Sequence, residues 1–224
     1  MLTDKTVNEL LDAFSSSDPT PGGGSAAALA GAIGTSLLVM VASLPKTKTN
    51  TPEERQLMDQ ARAELLAIRR TLTDLVDKDA AAYDLVVAAF RKPKGTDEEK
   101  VARKAAVQDA MRVATEVPLE TLQASARAMT LSVTVAECGN PSAMSDVGVA
   151  LQLLTSAITG ARYNIETNIG SLTDPALVQR ISQAVLESTA DVGVSASRVF
   201  EAAGLIELLR QASARGPLMG GHRR

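Results

Sequence analysis

Apolar residues recur along this chain with the three- and four-residue spacing of amphipathic α-helices. Strand-length runs of β-branched residues are rare, and proline or glycine separates one periodic segment from the next. A capping box, threonine followed three residues later by glutamate, precedes two segments, at Thr51 and Thr96. The pattern predicts an all-α protein with helices over about residues 6–16, 26–44, 52–90, 97–138, 144–169 and 176–203. Pro118 should bend or restart the fourth helix.

The predicted helix over residues 26–44 is apolar on every side, which is typical of a central, buried helix. Gly31 and Gly34 lie on one face and allow a neighbouring backbone to come close. A membrane-spanning helix is the alternative, because about twenty apolar residues would cross a bilayer. The weak hydrophobicity of alanine and glycine, and the presence of Thr35 and Ser36, favour the buried helix.

A proline- and glycine-rich loop, residues 19–25, leads into this helix. Its prolines hold the backbone extended, its glycines can take positive φ, and Ser25 is a favourable N-cap. The unpaired amides and the helix dipole at such a helix start can receive a carboxylate or another anion. A tight turn that lets the helix pack closely is the alternative, and the spacing alone favours it.

Asp79 lies on the apolar stripe of the helix over residues 52–90, whereas Asp74 and Asp77 fall off it and can be solvated. A carboxylate among core positions must find a partner or shift its pKa, and functional sites are enriched in such groups. A structural aspartate bonded to a backbone donor or a lysine is an equal alternative. The stripe consists of Leu57, Ala61, Leu65, Ile68, Leu72, Leu75, Val76, Tyr83, Val86 and Phe90.

Composition removes several classes of function. The net charge is −3 and aromatic residues make up 2% of the chain, which argues against a nucleic-acid partner. One histidine, His222, and one cysteine, Cys138, exclude a Ser-His-Asp triad, a histidine-rich metal site and an internal disulfide. Any acid–base chemistry falls to Asp, Glu, Lys or Tyr. No signal-peptide pattern begins the chain, so we expect a cytoplasmic protein.

Neither a repeat nor a linker divides the chain, so we expect one domain over residues 1–214 and a flexible tail over 215–224. The predicted architecture is a single-domain bundle of long antiparallel helices. Helices with two apolar faces commonly need a partner subunit, so we expect a homodimer.

Five sequence motifs, taken in their order along the chain, point to a family. They are residues 19–32, residues 75–80, Lys92-Pro93-Lys94, Gly139-Asn140-Pro141 with Ser145-Asp146-Val147-Gly148, and residues 160–164. Together they resemble the cyclodeaminase/cyclohydrolase family, which includes the C-terminal half of formiminotransferase-cyclodeaminase and some stand-alone methenyltetrahydrofolate cyclohydrolases. The resemblance covers about residues 6–204.

The resemblance implies an all-helical, dimeric enzyme that acts on the one-carbon bridge between N5 and N10 of tetrahydrofolate. It implies that the folate derivative is the substrate and that no metal or further cofactor is needed. Asp79 would be the general acid/base, oriented by Asn140, with Asp146 as a third catalytic residue. The expected substrate-binding residues are Gly22, Gly23, Gly24, Ser25, Lys46 and Lys94.

Two reactions are consistent with this resemblance. A cyclodeaminase closes 5-formiminotetrahydrofolate to 5,10-methenyltetrahydrofolate and releases ammonia, whereas a cyclohydrolase opens the methenyl bridge with water. Both need a proton shuttle beside a carbon bound to two nitrogens, so the sequence constrains them almost equally, with a slight preference for the cyclodeaminase. A non-catalytic folate-binding helical dimer is a further alternative.

Overall fold

The structure is a computed structural model that describes residues 1–44 and 51–202. These residues form helices joined by turns, without a strand, which confirms the predicted all-α class. Lys46, the predicted helix end at Gly204 and the predicted tail over 215–224 lie outside the described residues. The helices are α1 (Val7–Ser15), α2 (Gly23–Ser43), α3 (Pro52–Phe90), α4 (Asp97–Cys138), α5 (Met144–Ile169), α6 (Pro175–Thr189) and α7 (Val192–Ala202).

The two predicted capping boxes begin α3 and α4. At the start of α3, the Glu54 N–H donates to the Thr51 hydroxyl at 3.2 Å, and the Thr51 N–H donates to the Glu54 carboxylate at 3.0 Å. Thr96 and Glu99 make the same reciprocal pair at the start of α4. Each pair satisfies backbone donors that the first helical turn leaves unpaired, so the local sequence fixes where these long helices begin.

Helix α2 is the centre of the bundle and packs against α3, α4 and α5. A Cβ on Gly31 would lie 2.8 Å from Ser125 Oγ, and one on Gly34 would lie 2.9 Å from the carbonyl oxygen of Ala150. The two glycines therefore let α4 and α5 approach the α2 backbone, as predicted. By length and composition alone α2 could cross a membrane, but 56% of its most apolar stretch is buried by the rest of the protein.

The apolar stripe of α3 is buried in its middle and exposed at its ends. Residues such as Leu65 and Leu72 are fully buried, whereas Leu57 is 49% exposed and Phe90 is 52% exposed. Met58, which is not part of the predicted stripe, is buried in place of Leu57. Helix α3 is about 58 Å long and α2 about 31 Å, so α3 extends beyond the helix that covers it.

The position of Asp77 off the stripe suggested a solvated side chain, but Asp77 instead makes hydrogen bonds within the protein. Its carboxylate accepts hydrogen bonds from the Leu2 N–H and from the Thr3 hydroxyl, the latter at 2.8 Å. These bonds tie the N-terminal 3₁₀ turn, Leu2–Asp4, to the middle of α3. Asp74 is exposed, as predicted.

The predicted single helix over 176–203 is wrong, because the chain breaks at Ala190 and Asp191 into α6 and α7. The Ser195 N–H donates to the carbonyl oxygen of Asp191 at 2.9 Å, which begins a new helix. Aspartate favours positions just before a helix because its side chain competes with helical backbone bonds. The break lets both segments pack along α4.

Pro118 does not divide α4, which is continuous from Asp97 to Cys138. Proline lacks an N–H, so it cannot donate to the carbonyl oxygen four residues earlier, that of Ala114. The side chain of Asn168 on α5 donates to this oxygen instead, from Nδ2 at 2.7 Å. A side chain from a neighbouring helix thus compensates for the bond that the proline removes.

Candidate active site

A cavity of about 290 Å³ lies at the N-terminal end of α2, between the loop that precedes this helix and parts of α3, α4 and α5. The loop enters it through a cis peptide bond between Thr20 and Pro21. The cavity is lined by Pro19, Thr20, Gly22, Gly23, Gly24, Asp79, Ala82, Tyr83, Val86, Met111, Ala114, Asn164 and Asn168. We refer to it as the Asp79 pocket.

Asp79 projects from α3 towards the first turn of α2. A Cβ on Gly24 would overlap the Asp79 carboxyl group, so only glycine at position 24 allows this approach. The Ser25 hydroxyl lies 3.0 Å from Asp79 Oδ2 and 2.9 Å from the carbonyl oxygen of Val76. The carboxyl is therefore held in place by the start of α2 and remains part of the pocket wall.

The sequence predicted Ser25 as the N-cap of α2, and this prediction is wrong. The helix begins at Gly23, with Gly22 as the capping residue in an extended conformation, so Ser25 already lies in the first turn. Its side chain is fully buried and bonds to α3. Ser25 is not among the residues that line the pocket, and its hydroxyl contacts Asp79, so the structure places it behind this carboxyl.

Burial raises the pKa of the Asp79 carboxyl above its ordinary value, while the Ser25 hydroxyl and backbone N–H lower it in part. The Ser25 hydroxyl suits both protonation states. It can donate to the ionised carboxylate, or it can accept from the protonated carboxyl while donating to the Val76 carbonyl. Asp79 can therefore give and take a proton without rearrangement of its neighbours.

The first turn of α2 faces the carboxyl of Asp79. The Ser25 N–H, one of the amides predicted to receive a ligand carboxylate, lies close enough to this carboxyl to lower its pKa. A second carboxylate at the same point would be repelled whenever Asp79 is ionised. Gly22 and Gly23, which are predicted substrate-binding residues, line the pocket.

Asn140 lies at the opposite end of the bundle from Asp79. Gly139, its neighbour, packs against Val41 near the end of α2, whereas Gly24 meets Asp79 at the start of α2. The two positions on α2 are about 25 Å apart along the helix axis. Asn140 therefore does not orient Asp79 within one chain; its side chain accepts from the Ser142 N–H at 3.0 Å.

Asp146 is also remote from Asp79 within one chain. It lies in the first turn of α5, whose far end carries Asn164 beside Gly23. Asp146 and Asn164 are about 27 Å apart along this helix. The structure thus does not bring together the three residues that the resemblance implied to be catalytic.

Lys94 lines a second cavity, of about 360 Å³, at the turn between α3 and α4. Its other lining residues are Phe90, Lys100, Arg103, Lys104, Val107 and Gln108. The Arg103 guanidinium donates to the Phe90 carbonyl oxygen and lies 5.5 Å from the centre of its ring. This basic cavity is next to the Asp79 pocket, because Val86 and Phe90 are one turn apart on α3.

The described residues contain no cluster of three or more His, Cys, Asp or Glu side chains that could hold a metal ion. They bring one carboxyl group, Asp79, to the pocket, together with the phenol of Tyr83 and the amides of Asn164 and Asn168. This set is suited to proton transfer and to hydrogen bonding of a polar organic ligand.

Comparison with known proteins places this chain in a family. The family model for formiminotransferase-cyclodeaminase matches residues 6–187. The chain belongs to the formiminotransferase-cyclodeaminase family. This agrees with the resemblance drawn from the five motifs.

Two relatives differ in how much of their length this chain matches, and one solved structure shares its fold. A methenyltetrahydrofolate cyclohydrolase from Methylorubrum extorquens is 36% identical over 201 residues, covering 90% of this chain and 97% of that protein. A formimidoyltransferase-cyclodeaminase from Rattus norvegicus is 31% identical over 77% of this chain, which spans only 32% of the rat protein. The fold matches a crystal structure of formiminotetrahydrofolate cyclodeaminase from Thermotoga maritima with a TM-score of 0.81 at 23% identity, covering 92% of this chain and 99% of that one.

Several pocket residues of this family member were not among the predicted site residues. Tyr83 was assigned to the core stripe, but it is 42% exposed and lines the pocket. Asn164 belongs to the motif over residues 160–164 but has no predicted role, and Asn168 lies outside the five motifs. Both are polar residues four positions apart on α5, which places them on one helix face. That spacing was the available signal for a second polar wall.

Proposed function

We propose that this chain is an enzyme that acts on the one-carbon unit between N5 and N10 of tetrahydrofolate, with Asp79 as the general acid/base. The observation that supports this most directly is the Asp79 carboxyl itself, which lines a pocket and has a raised pKa because it is partly buried. A carboxyl whose pKa is moved towards neutrality can exchange protons with a bound substrate. The names of the relatives support a tetrahydrofolate derivative as the substrate of this chain.

Of the two reactions, we propose the hydrolysis of 5,10-methenyltetrahydrofolate. The sequence alone slightly favoured the cyclodeaminase. The similarity to the Methylorubrum extorquens cyclohydrolase supports hydrolysis instead, because the 36% identity extends over 97% of the length of that protein. The cyclodeaminase remains the second candidate, supported by the 31% identity to the rat formimidoyltransferase-cyclodeaminase.

In the proposed reaction, the oxygen of a water molecule bonds to the bridging carbon of the methenyl cation while ionised Asp79 takes one proton from that water. The resulting neutral adduct then loses its bond between the carbon and N5. Asp79 returns its proton to N5, and the adduct hydroxyl releases its proton as the formyl C=O forms on N10. The balance is one water consumed and one proton released, with Asp79 regenerated.

The charge of the pocket is consistent with a cationic substrate. Asp79 is the carboxyl group in the lining, and the described lining residues include no lysine or arginine. An ionised carboxylate in a partly buried site attracts a nearby cation more strongly than it would in water. Binding of the methenyl cation should in turn favour the ionised form of Asp79, the form that accepts a proton.

The cyclodeaminase reaction would use the same carboxyl in the opposite state. N10 would bond to the formimino carbon, and the N10 proton would pass to the formimino nitrogen. Protonated Asp79 would donate a second proton to that nitrogen, so that its bond to the carbon breaks and it leaves as ammonia, with the methenyl cation and ionised Asp79 as the other products. An absorbance assay separates the reactions. Our proposal predicts enzyme-dependent decay of supplied methenyltetrahydrofolate above its spontaneous hydrolysis. Formation of methenyltetrahydrofolate from 5-formiminotetrahydrofolate with ammonia release, without the first signal, would establish the second candidate instead.

We propose that the basic cavity beside the pocket holds the carboxylates of the folate glutamate tail. Lys94, Arg103 and Lys104 supply positive charge there, whereas Lys100 is paired with Asp97 at 2.8 Å. The cavity is within reach of a substrate seated at Asp79. This gives Lys94 the substrate-binding role expected from the sequence, but at the far end of the substrate. Lys94→Ala should raise KM and leave kcat unchanged.

We propose a homodimer that uses the outer face of α2. Residues on this face alternate in steps of four and three, the spacing of a coiled-coil contact. Ile33 is 46% exposed and Met40 is 40% exposed in the single chain. Light scattering should give twice the mass of one chain for wild type. For Ile33→Glu it should give the mass of a single chain. The face consists of Ala26, Ala30, Ile33, Leu37, Met40 and Leu44.

A further inference from the structure

Two asparagine side chains form a polar wall of the Asp79 pocket that the proposed proton transfer does not use. Asn164 and Asn168 are four residues apart on α5, both are half-buried, and both line the cavity. Asn164 lies beside the glycine loop, since a Cβ on Gly23 would be 3.7 Å from its Nδ2. The wall therefore borders the same loop that holds Asp79.

Each amide is held in one orientation by a bond to a backbone carbonyl. Asn164 Nδ2 donates to the Gly160 oxygen at 2.8 Å, and Asn168 Nδ2 donates to the Ala114 oxygen at 2.7 Å. Turning either amide over would place its own oxygen against that carbonyl, which is unfavourable. Neither Oδ1 atom accepts a hydrogen bond from a described residue. Each side chain thus keeps one oxygen acceptor and one N–H donor unused.

The orientation of Asn168 depends on Pro118. The Ala114 carbonyl is available to a side chain because Pro118, four residues later, has no N–H to donate to it. A proline in the middle of a long helix is costly, and here its consequence is a carbonyl on the pocket wall that fixes an amide from another helix. The proline and Asn168 act together.

We propose that Asn164 and Asn168 bind the pyrimidinone edge of the pterin ring and so determine which heterocycle enters the pocket; this rests on the proposed folate function. That edge carries an amino group, a ring N–H and a carbonyl oxygen. The two amides offer the matching acceptors and donors in fixed positions. Asp79 is left to the one-carbon bridge, and the basic cavity to the glutamate tail.

The test compares ligands that contain different parts of the substrate. Calorimetric titrations would use tetrahydrofolate, 6-methyltetrahydropterin, which has the ring alone, and p-aminobenzoylglutamate, which lacks it. For Asn164→Ala we expect about five- to tenfold weaker binding of the first two ligands and unchanged binding of the third. Thr167→Ala, an exposed position on the same helix, is the matched control and should bind all three like wild type.

The outcomes separate this inference from the function on which it rests. If wild type binds tetrahydrofolate but Asn164→Ala binds the pterin equally well, or loses only p-aminobenzoylglutamate, the assignment of the wall is wrong and the proposed function stands. If wild type binds none of the three ligands, the proposed function fails as well. Asn164 bonds within its own helix, so this variant should keep its thermal stability, which circular dichroism would verify.

A double-mutant cycle tests the coupling to Pro118. Pro118→Ala restores an N–H that competes for the Ala114 carbonyl, so the orientation of Asn168 should become less defined and the affinity for 6-methyltetrahydropterin should fall. In the Asn168→Ala background the same change should have no effect on pterin affinity. Equal losses in both backgrounds would show that the proline acts on the pocket by another route.

Discussion

At the residue scale, the site is created by one close approach. Gly24 admits the Asp79 carboxyl to the start of α2, and Ser25 holds it there through its hydroxyl. The sequence predicted each of these residues separately but assigned the glycines and Ser25 to the ligand. Their contacts with Asp79 could not be predicted, because the two segments are more than fifty residues apart in the chain.

Asp79→Asn should make the protein more stable near neutral pH. Burial raises the pKa of Asp79 in the folded state, so the folded chain binds this proton more tightly than the unfolded chain. The resulting stabilisation is present below the ordinary pKa of 3.8 and is lost as the pH rises through the raised value. Melting temperatures should therefore differ most above that pKa and converge towards pH 4. A variant less stable than wild type at pH 7 would mean that Asp79 is a structural residue.

Gly24→Ala should displace the Asp79 carboxyl. The added Cβ would overlap this group, and a displacement of about 1 Å at a reacting group can cost about 10²-fold in rate. Gly170→Ala is the matched control, since a Cβ there meets no atom within 4 Å. Turnover by both variants measures the effect. Equal activity of Gly24→Ala and wild type would show that the position of Asp79 is not critical.

At the element scale, the sequence predicted most helix boundaries because they depend on local chemistry. The capping boxes at Thr51 and Thr96 and the turn at Gly139 are examples. Tertiary contacts decide the remaining features. Pro118 remains inside a continuous α4, where Asn168 donates to the carbonyl that the proline leaves without a backbone donor, and the last predicted helix is wrong because it divides so that α6 and α7 follow α4.

Gly34→Ala should destabilise the packing of α2 against α5. The new Cβ would lie 2.9 Å from the carbonyl oxygen of Ala150, and overpacking of this kind costs about 1–3 kcal/mol. Gly193→Ala is the control: its Cβ meets no atom within 4 Å, and alanine in a helix gains about 0.5–1 kcal/mol over glycine. Urea unfolding of the two variants should give changes of opposite sign. If Gly34→Ala and Gly193→Ala both stabilise the protein, α2 does not pack closely against α5 at Gly34.

At the scale of the whole molecule, two groups of expected site residues lie at opposite ends of the bundle. Asp79 is at the start of α2, and Asn140 and Asp146 are at its other end. If two α2 helices pair antiparallel across a two-fold axis, the Asn140 end of one subunit lies towards the Asp79 end of the other. The proposed dimer is thus the arrangement in which the motif residues could act together.

Mixed dimers test this arrangement. Asp79→Asn and Asn140→Ala proteins, each with low activity alone, should recover up to about a quarter of wild-type activity when their subunits are mixed and exchanged. Recovery occurs because one of the two sites in a mixed dimer then combines two unaltered residues. Full activity of Asn140→Ala alone, or no recovery after mixing, would show that Asn140 does not complete the site of a partner subunit.

The most direct test of the central claim is the turnover of 5,10-methenyltetrahydrofolate by wild type and Asp79→Asn, measured by absorbance at neutral pH and corrected for spontaneous hydrolysis. The variant keeps the shape of the side chain but cannot exchange a proton in the same way. We predict enzyme-dependent turnover by wild type and a loss of roughly 10²- to 10⁴-fold in kcat for the variant, with the fold intact. Wild-type turnover by a folded Asp79→Asn protein would contradict the assignment of Asp79 as the general acid/base.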